Sequence, residues 1–221
     1  MRISRYAIVV GALGLALAGC TSTSGGTAGA TPSAAAPTSA SSTASSGTVA
    51  SCVVGTWKAS GMSRTDTVAG TAINSSGGGG FTLTINPDGS ATVDFAGMQP
   101  ITFSSTAGAT KVEGMYVHGG QVKGAVQTTA TSDTAGTLEP TGTVDWSALT
   151  VTVDLSSPVK LKVFDNVKIS DFTGSGAAQV GSAVDTQPVL RKSMYDCGGS
   201  TLKLSPPAGV TTGGTWTFQK A

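Results

Sequence analysis

The chain has 221 residues, 39 % of them hydrophobic and only 11 % charged, against about 25 % charged in an average soluble protein. Thirteen Lys and Arg stand against twelve Asp and Glu, and without Arg2 and Arg5 of the leader the balance is 11 to 12. A near-neutral chain with no basic run lacks the charge that displaces counterions from a phosphate backbone, so nucleic acid is not an expected partner.

In chain order, the first segment reads as an export signal over residues 1–19. Arg2 and Arg5 give a positive start and Tyr6 to Leu17 an apolar core, too short for a membrane span of roughly 20 residues. Leu17-Ala18-Gly19-Cys20 resembles a bacterial lipobox. The resemblance implies a diacylglyceryl group on the Cys20 sulfur, cleavage before Cys20, and an extracytoplasmic protein anchored to the cell membrane. Two acyl chains suffice for stable anchoring. The plain alternative is an ordinary signal cut at Ala18 or Gly19, with Cys20 left as a free thiol.

Residues 20–51 form the expected linker. Thr21 to Ser51 carry no charged side chain and are almost wholly Ser, Thr, Ala, Gly and Pro. Such a segment has too little to bury to offset its ordering entropy, so disorder is expected. As a flexible coil its ends lie roughly 30 Å apart, at about 5–6 Å times the square root of its length. With Cys20 assigned to lipid, Cys52 and Cys197 remain as an even pair outside the reducing cytosol, and a disulfide is the economical reading.

Residues 52–221 are expected to fold as one domain. Phe81, Leu83 and Ile85 alternate with threonines, Asn86-Pro87-Asp88-Gly89 supplies a turn, and Ala91, Val93 and Phe95 alternate again. Ile101 and Phe103, then Val112, Gly114, Tyr116 and His118, then Val122, Gly124 and Val126 continue the period of two. Leu149, Val151, Val153 and Leu155 follow, then Val159, Leu161 and Val163, and a short run at Val167 and Ile169. Val189, Arg191 and Ser193, Leu202 and Leu204, and Trp216 and Phe218 mark the last strands, with Ala177 to Val184 the best place for a short helix. The pattern predicts an all-β, antiparallel barrel or sandwich of about nine or ten strands.

Three stretches then carry a resemblance: Cys52-Val53-Val54-Gly55-Thr56-Trp57, Leu83-Thr84-Ile85-Asn86-Pro87-Asp88-Gly89, and Tyr195-Asp196-Cys197-Gly198-Gly199-Ser200-Thr201-Leu202, with Trp216 near the end. Together they resemble lipocalin-like envelope lipoproteins and exported domains of actinobacterial type. The resemblance implies a lipocalin-like β-barrel of about 8–10 strands. It implies a tryptophan, Trp57, at the barrel floor, and an ending strand near the first that brings Cys52 to Cys197. It leaves Val126 to Gln187 unmatched and implies no enzymatic chemistry.

The search for chemistry finds little. The sequence has one histidine, His118, with no nucleophile elbow to serve it. Met115 and His118 fall on opposite faces of one strand, against a local copper site, and the expected role of His118 is a strand-end residue beside Gly119-Gly120. Asp88 and Asp165 read as turn residues, Asp94 and Asp154 as polar-face residues, and Lys160 and Lys162 as solvated side chains. No catalytic residue, metal ligand or cofactor is assigned. The leading expectation is a membrane-anchored, non-enzymatic protein that holds an apolar or amphipathic molecule inside the barrel, near Trp57, Phe81, Val93 and Phe95. The alternative is a structural or interaction protein whose barrel is filled by its own side chains.

Overall fold

The computed structural model describes residues 49–68, 71–107, 109–172, 183–210 and 213–221. The leader, Cys20, nearly all of the linker and positions 177–182 of the expected helix lie outside them, and Ala183 and Val184 are in a turn. The described residues form one antiparallel sheet of thirteen strands. They are β1 (Gly55–Val68), β2 (Thr71–Gly77), β3 (Thr82–Ile85), β4 (Ser90–Asp94), β5 (Ile101–Ala107), β6 (Thr110–Gly119) and β7 (Gln121–Ala130). β8 (Ala135–Asp145), β9 (Thr150–Ser157), β10 (Leu161–Lys168), β11 (Ser193–Gly198), β12 (Thr201–Ser205) and β13 (Thr215–Lys220) complete it.

Strand β1 organises the whole. Its first residues pair with β3 on one side, Gly55 to Lys58 against Thr82 to Ile85, while Trp57 to Ser63 pair with β13 on the other. That double pairing closes an eight-stranded barrel in the order β1–β13–β12–β11–β8–β7–β4–β3 and back to β1. A bulge between Ala59 and Gly61 bends the strand. Its second half, Met62 to Val68, then leaves the barrel and pairs with β2. From there β2, β5, β6, β9 and β10 extend as an open wing. The barrel has eight strands and the sheet thirteen, more than the nine or ten expected; four of the five wing strands, β5, β6, β9 and β10, coincide with runs expected as strands.

Alternation explains the barrel interior. Trp57, Leu83, Val93 and Val122 lie opposite one another across four strands, and Leu202 and Leu204 lie opposite Phe218 and Trp216. All eight are buried, each worth roughly 1.5–3 kcal/mol or more of transfer free energy. The wing's inner face, with Ile73, Ile101, Phe103, Tyr116, Val151 and Val153, belongs to the same hydrophobic cluster. The 3–4 hairpin is as read: Gly89 takes φ 87° and donates its N–H to Asn86 O at 2.9 Å. Asp88 accepts from the Ser90 N–H and hydroxyl, which hold its carboxyl below the usual range.

Several expectations are corrected. Val159 is 66 % exposed and lies in a bend before β10, not on a strand; Leu161, 53 % exposed, begins β10, the wing's outer edge, whose register against β9 slips twice. Val167 belongs to that same strand, and Ile169 opens a short 3-10 turn, Ile169–Asp171. Val189 and Arg191 precede β11 in irregular backbone, with Val189 at φ 67°. The folded part also reaches further back than Cys52: Val49 is buried, and the Ala50 N–H donates to Thr128 Oγ1 at 2.7 Å. Cys52 and Cys197 form the expected disulfide, with Cα atoms 6.1 Å apart, fastening the entry of β1 to β11.

Candidate functional site

The four residues expected to line a ligand cavity are brought together, but as packing partners. Trp57, Phe81, Val93 and Phe95 are each no more than 2 % exposed. Phe81 lies 4.9 Å from Phe95, 5.2 Å from Trp216 and 5.8 Å from Phe218, centroid to centroid. Rings at these separations and tilts are in mutual contact, each supplying the others' neighbours. Trp57 stands at one end of the barrel, its Nε1–H donated to Val53 O at 2.8 Å and Lys220 Nζ 5.7 Å from its ring. The described interior is thus occupied by the protein's own side chains.

An open concavity lies outside the barrel, where β1 passes into the wing. It is a cleft of about 1070 Å³ bordered by β1, β2, β5 and β6 and by residues between β12 and β13. Its exposed floor follows from strand register. Ser63 lies opposite Ser76, which lies opposite Thr102; Thr65 lies opposite Asn74, which lies opposite Ser104. Because strand side chains alternate faces, all six project to one side, where Ser104 is partly buried and the other five are exposed. The Thr65 hydroxyl donates to Asn74 Oδ1 at 3.1 Å and the Thr102 hydroxyl to Ser76 O at 3.2 Å. Pro206 and Val210 form an apolar rim, Val210 being 48 % exposed. Glu113, at the end of the second row, is paired with Lys111 at 2.7 Å.

The two charges in the second half of β1, Arg64 and Asp66, point the other way. Arg64 and Asp66 form an ion pair whose side chains are 7 % and 3 % exposed, on the inner face opposite Ser75 and Ile73. Arg64 also donates to Ala183 O at 3.4 Å. A second pair joins Arg191 to Asp185 at 2.9 Å. The Asp185 carbonyl takes a hydrogen bond from His118 Nε2 at 2.8 Å. A carbonyl accepts only, so Nε2 carries the proton and Nδ1 is the bare nitrogen. Burial disfavours the imidazolium and lowers the His118 pKa to about 4, with Asp185 opposing the shift. Burial likewise raises Tyr116 above the usual phenol range. Ser75 Oγ and His118 Nδ1 are buried without a hydrogen-bond partner among the described residues. His118 is therefore the strand-end residue expected, held in the core rather than presented to a substrate.

No protein-family model matches the chain, no curated protein does, and no solved structure does. No described helix is long and apolar enough to cross a membrane, and the described residues hold no cluster of three or more metal-ligating side chains. The cleft was not legible in sequence because β1 departs from the usual pattern there, burying the charged Arg64 and Asp66 instead of apolar side chains. The period-two spacing of Ser63, Thr65 and Thr67 was the available signal.

Proposed function

We propose that this chain is a non-enzymatic envelope lipoprotein, anchored to the outer face of the cell membrane through Cys20. Its filled barrel acts as a rigid support for a binding face outside it. The observation that carries this reading is the contact of Phe81 with Phe95, Trp216 and Phe218, which puts side chains where a carried ligand would sit. Of the two sequence-based expectations, this favours the filled barrel over the carrier. The binding face is then the cleft between β1, β2 and β5. The burial of His118, with its N–H committed to a backbone carbonyl, supports a role without catalysis. The lipobox-like Leu17-Ala18-Gly19-Cys20 and the uncharged run after it support the anchor and its tether.

Two measurements on the full chain test it. Intact-mass spectrometry of the membrane-extracted protein is expected to show an acylated Cys20 as the mature N-terminus, and Cys20→Ser to release the protein from membranes. Organic extraction of the purified protein is expected to yield no stoichiometric apolar molecule. A lipid recovered one to one, and lost in Phe81→Trp, would return the reading to a carrier.

A further inference from the structure

We infer that the cleft beside the barrel binds an uncharged, polyhydroxylated chain: a neutral glycan. The inference rests on the cleft being the binding face proposed above, and it names the ligand class. Three properties of the lining select it.

The first is charge. The floor residues Ser63, Thr65, Asn74, Ser76, Thr102 and Ser104 are all neutral. Of the charged groups of the lining, Glu113 is paired with Lys111 at the end of the second row, and Arg64 with Asp66 on the buried side. A phosphate or carboxylate ligand would call for exposed Arg or Lys on the floor, and none of these six positions supplies one.

The second is hydrogen-bonding type. Each hydroxyl is at once a donor and an acceptor, and the Asn74 amide offers both functions as well. A sugar hydroxyl has the same dual capacity, so rows of such groups can be matched without leaving either partner unpaired. The Ser63, Ser76 and Ser104 hydroxyls make no hydrogen bond within the described protein. Strand geometry spaces the groups about 4.8 Å across the sheet and roughly 6.8 Å along it.

The third is shape and rim. At about 1070 Å³ the cleft is at the upper limit of small-molecule sites, which suits several linked rings better than one. Pro206 and Val210 give the C–H faces of a sugar ring an apolar border on one side only. A lipid would need such a surface throughout.

The test uses the full mature chain in nanodiscs of zwitterionic lipid, followed by amide NMR. The probes are maltohexaose, cellohexaose, mannohexaose and N-acetylchitohexaose, with a hyaluronan hexasaccharide as the anionic probe and phosphatidylglycerol vesicles as the lipid probe. At least one neutral hexaose is expected to shift the amides of Ser63 to Thr67, Asn74 to Ser76 and Thr102 to Ser104. Ser76→Tyr and Thr102→Lys, each checked for an unchanged amide spectrum elsewhere, are expected to weaken that binding at least tenfold. If only the anionic or lipid probe shifts these amides, the cleft remains a binding face and the glycan assignment is overturned. If no probe shifts them, or if both variants bind as before, the cleft reading fails along with it.

Discussion

Phe81 stands edge-on to Trp216, with ring centroids 5.2 Å apart and planes crossing at 83°. Edge-to-face pairs of this kind add about 0.5–1.5 kcal/mol to the gain from burial alone. Because Phe81 also contacts Phe95 and Phe218, Phe81→Ala would empty the middle of the core. We expect a loss of about 3–5 kcal/mol. Denaturant titration should show it as a lower midpoint at an unchanged slope.

The Cys52–Cys197 disulfide links residues 145 apart in sequence. In the chain-entropy account, removing so long a cross-link costs about 4–5 kcal/mol, or roughly 10–20 °C in a domain of this size. The Cys52→Ala, Cys197→Ala double variant should melt lower by that amount under conditions where the parent stays oxidised. A melting temperature unchanged by reduction would show the bridge to be thermodynamically idle.

His118 should make stability depend on pH. Its pKa is about 4 when folded and near 6.5 when unfolded, so between those values the unfolded chain binds more protons. Stability therefore rises with pH across that window. It is fully present above pH 6.5 and lost progressively as pH falls toward 4. The swing is on the order of 3 kcal/mol. Asp185, Arg191 and Tyr116 are the charged or ionisable groups around it, and the first two are already paired. His118→Gln, which keeps a donor for the Asp185 carbonyl, should flatten the slope of stability against pH over this range.

Arg191→Met should be costly in a different way. It leaves the Asp185 carboxylate, whose side chain is 6 % exposed, without its countercharge. Breaking a buried pair from one side typically costs about 3–5 kcal/mol. Adding Asp185→Asn should recover part of that loss, and a double-mutant cycle would measure the coupling.

Gly120, in the β6–β7 turn, adopts φ +82°, and a Cβ there would come 1.9 Å from the Ala148 carbonyl oxygen. The same turn fixes Phe95, whose N–H donates to Gly120 O at 3.0 Å. Gly120→Ala should lose about 1–3 kcal/mol from backbone strain, and more from the clash. Thermal melting is the check.

What was legible in the sequence was whatever paired close by and buried one face. The β3–β4 hairpin announced itself through Leu83, Ile85, Ala91 and Val93 around an Asp-Gly turn. β8 hid behind Pro140, a residue that normally argues against an interior strand position. β2, with the sequence Thr-Ala-Ile-Asn-Ser-Ser-Gly, reads locally as a loop and becomes a strand only between β1 and β5. β5, β6, β9 and β10 were readable one by one as alternating runs, but their assembly into a wing was not, because β6 skips to β9 across two barrel strands. Such a pairing is decided by tertiary contact, not by any local run. Trp57, Phe81, Val93 and Phe95 lie in the buried core, and only their neighbours could show that they fill it.

Strand β1 is made early and its partner β13 late, yet the barrel exists only when they meet. The wing strands β2, β5, β6, β9 and β10 all emerge before β11. The growing chain can therefore assemble its hydroxyl-bearing face while the future barrel strands stand open. Until β13 arrives, the free edge of β1 and the bare rings of Phe81 and Phe95 are surfaces on which unfinished chains can stick to each other. The vulnerable interval in the life of this protein is the time taken to synthesise residues 193–220.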